Sequence, residues 1–112
     1  ESGIGWIPFL LDALDYQCGE TAPEHLAHLS MKPSEYFRRQ FYGCFWFESK
    51  TLAPAIDHIG PDRIMFETDI PHPTCLYPHS VERVREAIQE LAPEVQKKIL
   101  QDNAAELYGI EV

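Results

Sequence analysis

The sequence predicts an α/β chain with two parallel strands joined by a helix. Three observations carry that prediction. Residues 43–47 (Gly-Cys-Phe-Trp-Phe) and the run Ile64-Met65-Phe66 are continuously apolar rather than alternating, the pattern of a strand covered on both faces in a parallel sheet. Between them, a segment from Thr51 to Gly60 fits one helix. Residues 43–67 therefore form a βαβ unit, whose crossover is right-handed in nearly all cases.

Each element follows from local chemistry. Gly3 and Gly5 mark a tight turn. Residues 6–14 fit a helix, with Pro8 accommodated in the first turn. Its Trp6, Ile7, Phe9, Leu10, Leu11 and Leu14 cover more than one face, which predicts burial on two sides. Residues 16–32 are polar and interrupted by Gly19 and Pro23, and predict a long loop with a short helix around 24–29. Pro33 opens a helix through Tyr42. The first strand, 43–47, follows. Thr51 is placed to N-cap the next helix, which ends near Ile59 with Gly60 at C′ and Pro61 barring continuation. The second strand is 63–67. Ser80 is placed to cap a helix whose Val81, Val84, Ile88 and Leu91 form one stripe. Pro93 starts another, carrying Val95, Ile99 and Leu100. Asp102 or Asn103 opens a last short helix, stopped by Gly109.

Two strands with about five helical pieces do not close an α/β domain. Their lateral edges require further strands. The abrupt opening at Glu1-Ser2-Gly3, with no initiator Met, fits the interior of a longer protein.

The 112 residues suffice for one domain with a modest core, and 45% hydrophobic content with 24% charge predicts order. A net charge of −9 opposes a phosphate backbone and an anionic membrane surface. A small-molecule substrate is the expected partner, with no nucleic acid and no membrane. No apolar run approaches the roughly 20 residues of a membrane span, and no signal peptide is visible. Cys18, Cys44 and Cys75 are odd in number and form no Cys-x-x-Cys pair, which fits a reduced, cytoplasmic setting.

The chemistry concentrates after the second strand, in Thr68-Asp69-Ile70-Pro71-His72-Pro73. Asp69 falls at the C-terminal end of the strand, where α/β proteins gather ligands and catalytic groups. A carboxylate there binds a divalent metal or accepts a proton; its bland alternative is an Asx-turn before Pro71. His72, stiffened by a proline on each side, suits a positioned imidazole, against a loop histidine satisfied by backbone. Thr68 is placed to orient Asp69, and Glu67 to pair with Arg63 or a helix dipole. His25-x-x-His28 has metal-ligand spacing but no further ligand nearby. Either Arg38 or Arg39 can bind a carboxylate bidentately, although such a pair is more often a solvated face. Trp6, Phe45, Trp46 and Phe47 are expected in the core, with one of them free to line a pocket.

Four segments together resemble the C-terminal part of the amidohydrolase-2 family, the metal-dependent (β/α)8-barrel branch that includes aminocarboxymuconate-semialdehyde decarboxylase. They are Glu1-Ser2-Gly3-Ile4-Gly5-Trp6-Ile7-Pro8, Pro33-Ser34-Glu35-Tyr36-Phe37-Arg38-Arg39, the stretch from Ile59 to Pro73, and Ile99 to Gly109 with its Asn103-Ala104-Ala105. The resemblance implies that residues 1–112 are the C-terminal segment of a single TIM-barrel domain, incomplete as a stand-alone barrel, with 43–47 as strand seven and 63–67 as strand eight. It implies that Asp69 is metal ligand and proton acceptor, and that His72 contacts substrate or supports the metal site. Glu1 falls at the end of strand six, where many relatives carry a catalytic histidine. The family's His-x-His pair and its further metal-binding histidine have no counterpart in this chain. The implied cofactor is a divalent metal, with zinc expected, held partly by ligands from outside this chain. The implied activity is hydrolysis or decarboxylation of a small carboxylated or cyclic organic acid, with the segment alone inactive. The competing expectation is a non-catalytic fragment that assembles with itself or a partner through its strand edges.

Overall fold

The computed structural model describes residues 1–21 and 23–112. Its helices are α1 (Ile7–Tyr16), α2 (Pro23–Leu26), α3 (Pro33–Gln40), α4 (Leu52–Ile59), α5 (Ser80–Ile88), α6 (Pro93–Lys97) and α7 (Asn103–Tyr108). Its strands are β1 (Gly43–Phe45) and β2 (Ile64–Phe66). They pair in parallel, with Gly43 opposite Ile64, Cys44 opposite Met65 and Phe45 opposite Phe66. The predicted βαβ unit is therefore present, joined through α4. Both strands stop short of the predicted spans, because Trp46 and Phe47 turn away from the sheet; one further bond, Glu67 N–H to the Phe45 carbonyl at 2.9 Å, continues the ladder.

Successive strand residues face opposite sides. Phe45 and Ile64 join the core built from Ile4, Ile7 and Leu11 near the N-terminus, Leu52, Ala55, Ile56 and Ile59 of α4, and Val84, Ile88 and Ile99. Removing each such side chain from water contributes about 1.5–3 kcal/mol. Met65 lies outside that cluster and, with Cys44, lines the other side of the sheet. Gly43 is required where the N-terminal segment crosses β1: a Cβ there would lie 2.9 Å from Ile4 Cγ2 and 3.0 Å from Ile7 Cδ1.

Several expectations are corrected. α1 buries only Ile7 and Leu11, while Phe9 is 79% exposed and Leu10 and Leu14 lie open. Leu10 and Leu14 face an open cavity shared with Phe37 and Phe41 rather than a packed interface. The first part of the stretch predicted as a loop instead extends α1 through a π-turn (Gln17–Thr21), while the expected short helix is present as α2, Pro23–Leu26. The last short helix begins at Asn103 as expected, but Asp102, with helical φ and ψ of −65° and −40°, joins it without a break to the π-segment (Lys98–Asp102) that follows α6. Gly109 ends α7 as expected. The N-cap of α5 is His79, not Ser80, whose buried hydroxyl has no hydrogen-bond partner. Trp6 and Phe47 are exposed and only Phe45 is core.

Side chains from distant segments lock these pieces. Asp15 of α1 accepts the Ser34 N–H at 2.9 Å and the Ser34 hydroxyl at 2.6 Å, satisfying the first turn of α3. Asn103 donates both amide hydrogens, to the Pro61 and Ile64 carbonyls, each at 2.7 Å. That fixes α7 under the start of β2. The radius of gyration is 15.8 Å, against about 13 Å for a compact domain of this length, as suits a slice of a larger body.

Candidate metal centre at the end of β2

β2 ends at Phe66, and Asp69 stands three residues beyond it. Its backbone has φ = 58°, the left-handed conformation that aspartate tolerates better than most residues. The chain then folds back on itself: the His72 N–H donates to the Asp69 carbonyl at 2.9 Å, and the Cys75 N–H to the His72 carbonyl at 3.1 Å. This turn places two side chains, His72 and Thr74, against one carboxylate.

The Asp69 side chain is only 2% exposed. Its Oδ2 accepts the Thr74 hydroxyl at 2.6 Å, and its Oδ1 lies 2.8 Å from His72 Nδ1. The same Nδ1 also meets Glu1 Oε1. Glu1 arrives from the other end of the chain on a segment clamped by Glu48, whose Oε1 accepts the N–H of Ile4 at 2.6 Å and of Gly5 at 3.1 Å. Gly3 permits that approach, because a Cβ there would overlap the Glu48 carboxylate.

The electrostatics follow from these contacts. The Thr74 hydrogen bond, helped by His72, holds the Asp69 carboxyl below its usual range despite the opposing effect of burial. The Asp69 hydrogen bond and the Glu1 charge raise the His72 imidazole. Both shifts favour the charged forms.

The chemistry of the donors fits a divalent cation. One ligand atom each from Glu1, Asp69 and His72 lie within 4.8 Å of one another. Catalytic zinc sites use three protein ligands with an open position, and mixed carboxylate–imidazole sets also suit manganese.

Asp69 and His72 were singled out in the sequence, and the fold brings them together. Thr74 and the contact of Glu1 with His72 were not anticipated; the family position of Glu1 at a strand end was the available signal for the second. The predicted partners of several other residues differ. Arg63 reaches Tyr42 Oη at 2.7 Å and the Arg38 carbonyl, not Glu67. Glu67 Oε1 instead lies 3.3 Å from the Glu1 backbone nitrogen. Arg38 donates to the His58 carbonyl at 2.9 Å, and Arg39 lies over the Tyr36 ring at 5.1 Å, so both serve the fold. The His25–His28 pairing rests on the His25 side chain, which lies outside the described residues. The three cysteines are free, and burial pushes the Cys44 thiol up.

A parallel βαβ unit with a carboxylate just past a strand's C-terminal end is an arrangement that (β/α)8 barrels share with open α/β sheets. Residues 1–110 match the amidohydrolase family model, and the chain belongs to that family. It superposes on 5-carboxyvanillate decarboxylase LigW from Sphingomonas paucimobilis with TM-score 0.77 and 30% identity, covering 97% of this chain and 33% of that one. An amidohydrolase from Mycobacterium avium subsp. paratuberculosis K-10 gives TM-score 0.81 and 26% identity over 100% of this chain and 27% of the other. A dihydroxybenzoic acid decarboxylase from Polaromonas sp. JS666, solved with bound manganese and the inhibitor 2-nitroresorcinol, gives 0.68 and 26% over 96% and 32%. No curated protein matches. The chain thus spans about a third of the length of these solved relatives, and its fold is part of their TIM barrel. Among the described residues no helix is long and apolar enough to cross a membrane.

Proposed function

We propose that residues 1–112 are the C-terminal segment of a single-domain, divalent-metal-dependent carboxy-lyase acting on a small carboxylated aromatic or cyclic acid. The observation that carries this reading is Asp69, a buried carboxylate held charged at the C-terminal end of β2 beside an imidazole. The decarboxylases among the solved relatives support the reaction class. Asp69 holds the cation, with manganese or zinc suited to its neighbours. The bound metal supplies Lewis-acid polarisation of a substrate oxygen. His72, half exposed at 53%, stands beside Asp69 at the mouth of the site, in reach of the metal and of a bound substrate. Thr74 keeps the Asp69 carboxylate oriented. The remaining ligands and the rest of the pocket come from the barrel portion that this chain does not contain, and the segment alone is inactive.

The test uses the protein at the full length of its relatives, assayed for CO2 release from hydroxylated benzoates. Asp69→Asn should remove the metal and lower turnover by about 100-fold or more, the scale of a lost electrostatic stabiliser. Unchanged metal content and turnover in that variant reject the reading. Hydrolysis of an amide or ester substrate, with no CO2 released from the benzoates, assigns hydrolysis instead, the other reaction the family name admits.

A further inference from the structure

We infer that Glu1 is itself a ligand of the divalent cation, so that this chain supplies a carboxylate–carboxylate–imidazole set rather than a lone aspartate. The inference rests on the reading that Asp69 holds a metal. Three observations carry it. First, His72 Nδ1 faces two carboxylate oxygens at once, from Asp69 and from Glu1. One N–H donates well to one acceptor, whereas a divalent cation accepts donors from several directions. Second, two carboxylates confront a single imidazole, leaving one negative charge uncompensated even when the ring is protonated; a divalent ion neutralises both. Third, the three donor atoms already lie within 4.8 Å of one another, and a solved protein sharing this fold holds manganese.

The donor set specifies the class of ion. Two oxygens and one nitrogen favour manganese, iron(II) or zinc over magnesium and calcium, which take all-oxygen shells. No cysteine belongs to the group, which excludes a thiolate site. Glu48 is then a positioning residue, because it fixes the backbone that carries Glu1.

Calorimetric titration of the protein at the full length of its relatives with Mn(II), read alongside the Mn(II) electron paramagnetic resonance signal, tests this directly. Circular dichroism of each variant reports the fold. Glu1→Gln should weaken Mn(II) binding by at least about tenfold, a loss that even outer partners of a metal produce. Glu1→Asp, which keeps the charge, should recover most of it even where Glu1→Gln perturbs the fold. Asp69→Asn should abolish binding. Glu1→Gln binding like the parent while Asp69→Asn loses the ion overturns the role of Glu1 and leaves the role of Asp69 standing. Binding unchanged in both, or absent from the full-length parent protein, overturns both.

Discussion

Glu48 holds Ile4 across 44 residues of sequence: its Oε1 accepts the Ile4 N–H at 2.6 Å and the neighbouring Gly5 N–H at 3.1 Å. A turn between β1 and α4 thereby fixes the segment that delivers Glu1 to His72. Glu48→Ala leaves two backbone donors without that acceptor. It should cost about 1.5–3 kcal/mol, as for hydrogen bonds to a charged group. A chemical-denaturation midpoint measures the loss. Gly3→Ala should act in the same direction, since its φ of 67° is strained for alanine and its methyl meets the Glu48 carboxylate. A midpoint unchanged in both variants means the clamp does not form in solution.

Asn103 gives the second expectation. Its amide donates to the Pro61 and Ile64 carbonyls at 2.7 Å each, with the residue 3% exposed. Asn103→Ala strands two buried acceptors and should lose about 1–3 kcal/mol. Asn103→Asp should lose more, because a carboxylate would face two carbonyl oxygens. Thermal unfolding orders the three proteins; equal stability of alanine and aspartate variants contradicts the assigned hydrogen bonds.

What was legible in the sequence follows the strength of the local signals. The continuous apolar runs at Cys44 and Met65 gave the parallel pair, and proline and glycine punctuation gave most helix ends. Asp69 and His72 were legible because strand, carboxylate and proline-held imidazole lie within one short stretch. Thr74 was not: its role depends on the Asp69 backbone entering the left-handed region, which no spacing encodes. The helical continuation past Tyr16 and the unbroken run through Asp102 were also missed. π-turns shift the register by one residue and look like interruptions to a 3.6-residue period. The exposed second face of α1 was misjudged because periodicity shows which residues are apolar, not whether another element covers them.

The His72–Asp69–Glu1 contacts set a pH dependence for the metal-free chain. The His72 pKa is raised above its ordinary 6.5 by the Asp69 hydrogen bond and the Glu1 charge. Its stabilising contribution is therefore full below 6.5 and lost as pH rises through the higher folded value. Asp69 is lowered from 3.8, first by Thr74. Its contribution is present above 3.8 and lost as pH falls through the lower folded value. Between roughly 4 and 6.5 both contribute. Histidine NMR titration should place His72 above 6.5, and Asp69→Asn should move it back down. A His72 value at or below 6.5 in the parent chain contradicts the pairing.

The last expectation concerns the sheet itself. β1 and β2 form a two-stranded sheet, so each keeps one lateral edge without a strand among the described residues. Trp6, Leu10, Leu14, Phe37 and Phe41 also line an open cavity of about 330 Å³ between α1 and α3. Unpaired edges and uncovered apolar surface drive association. In the relatives, the chain corresponds to about a third of a closed barrel, whose other strands supply such partners. The isolated chain should therefore scatter light as a species heavier than 12.9 kDa, with a mass that rises with concentration. Adding the complementary barrel portion should replace the concentration-dependent mass with the fixed mass of a one-to-one complex, because edge pairing inside the barrel competes with pairing between copies. A monomer that persists at high concentration would mean that the edges are blunted locally, and that the remainder of the barrel is not what the sheet lacks.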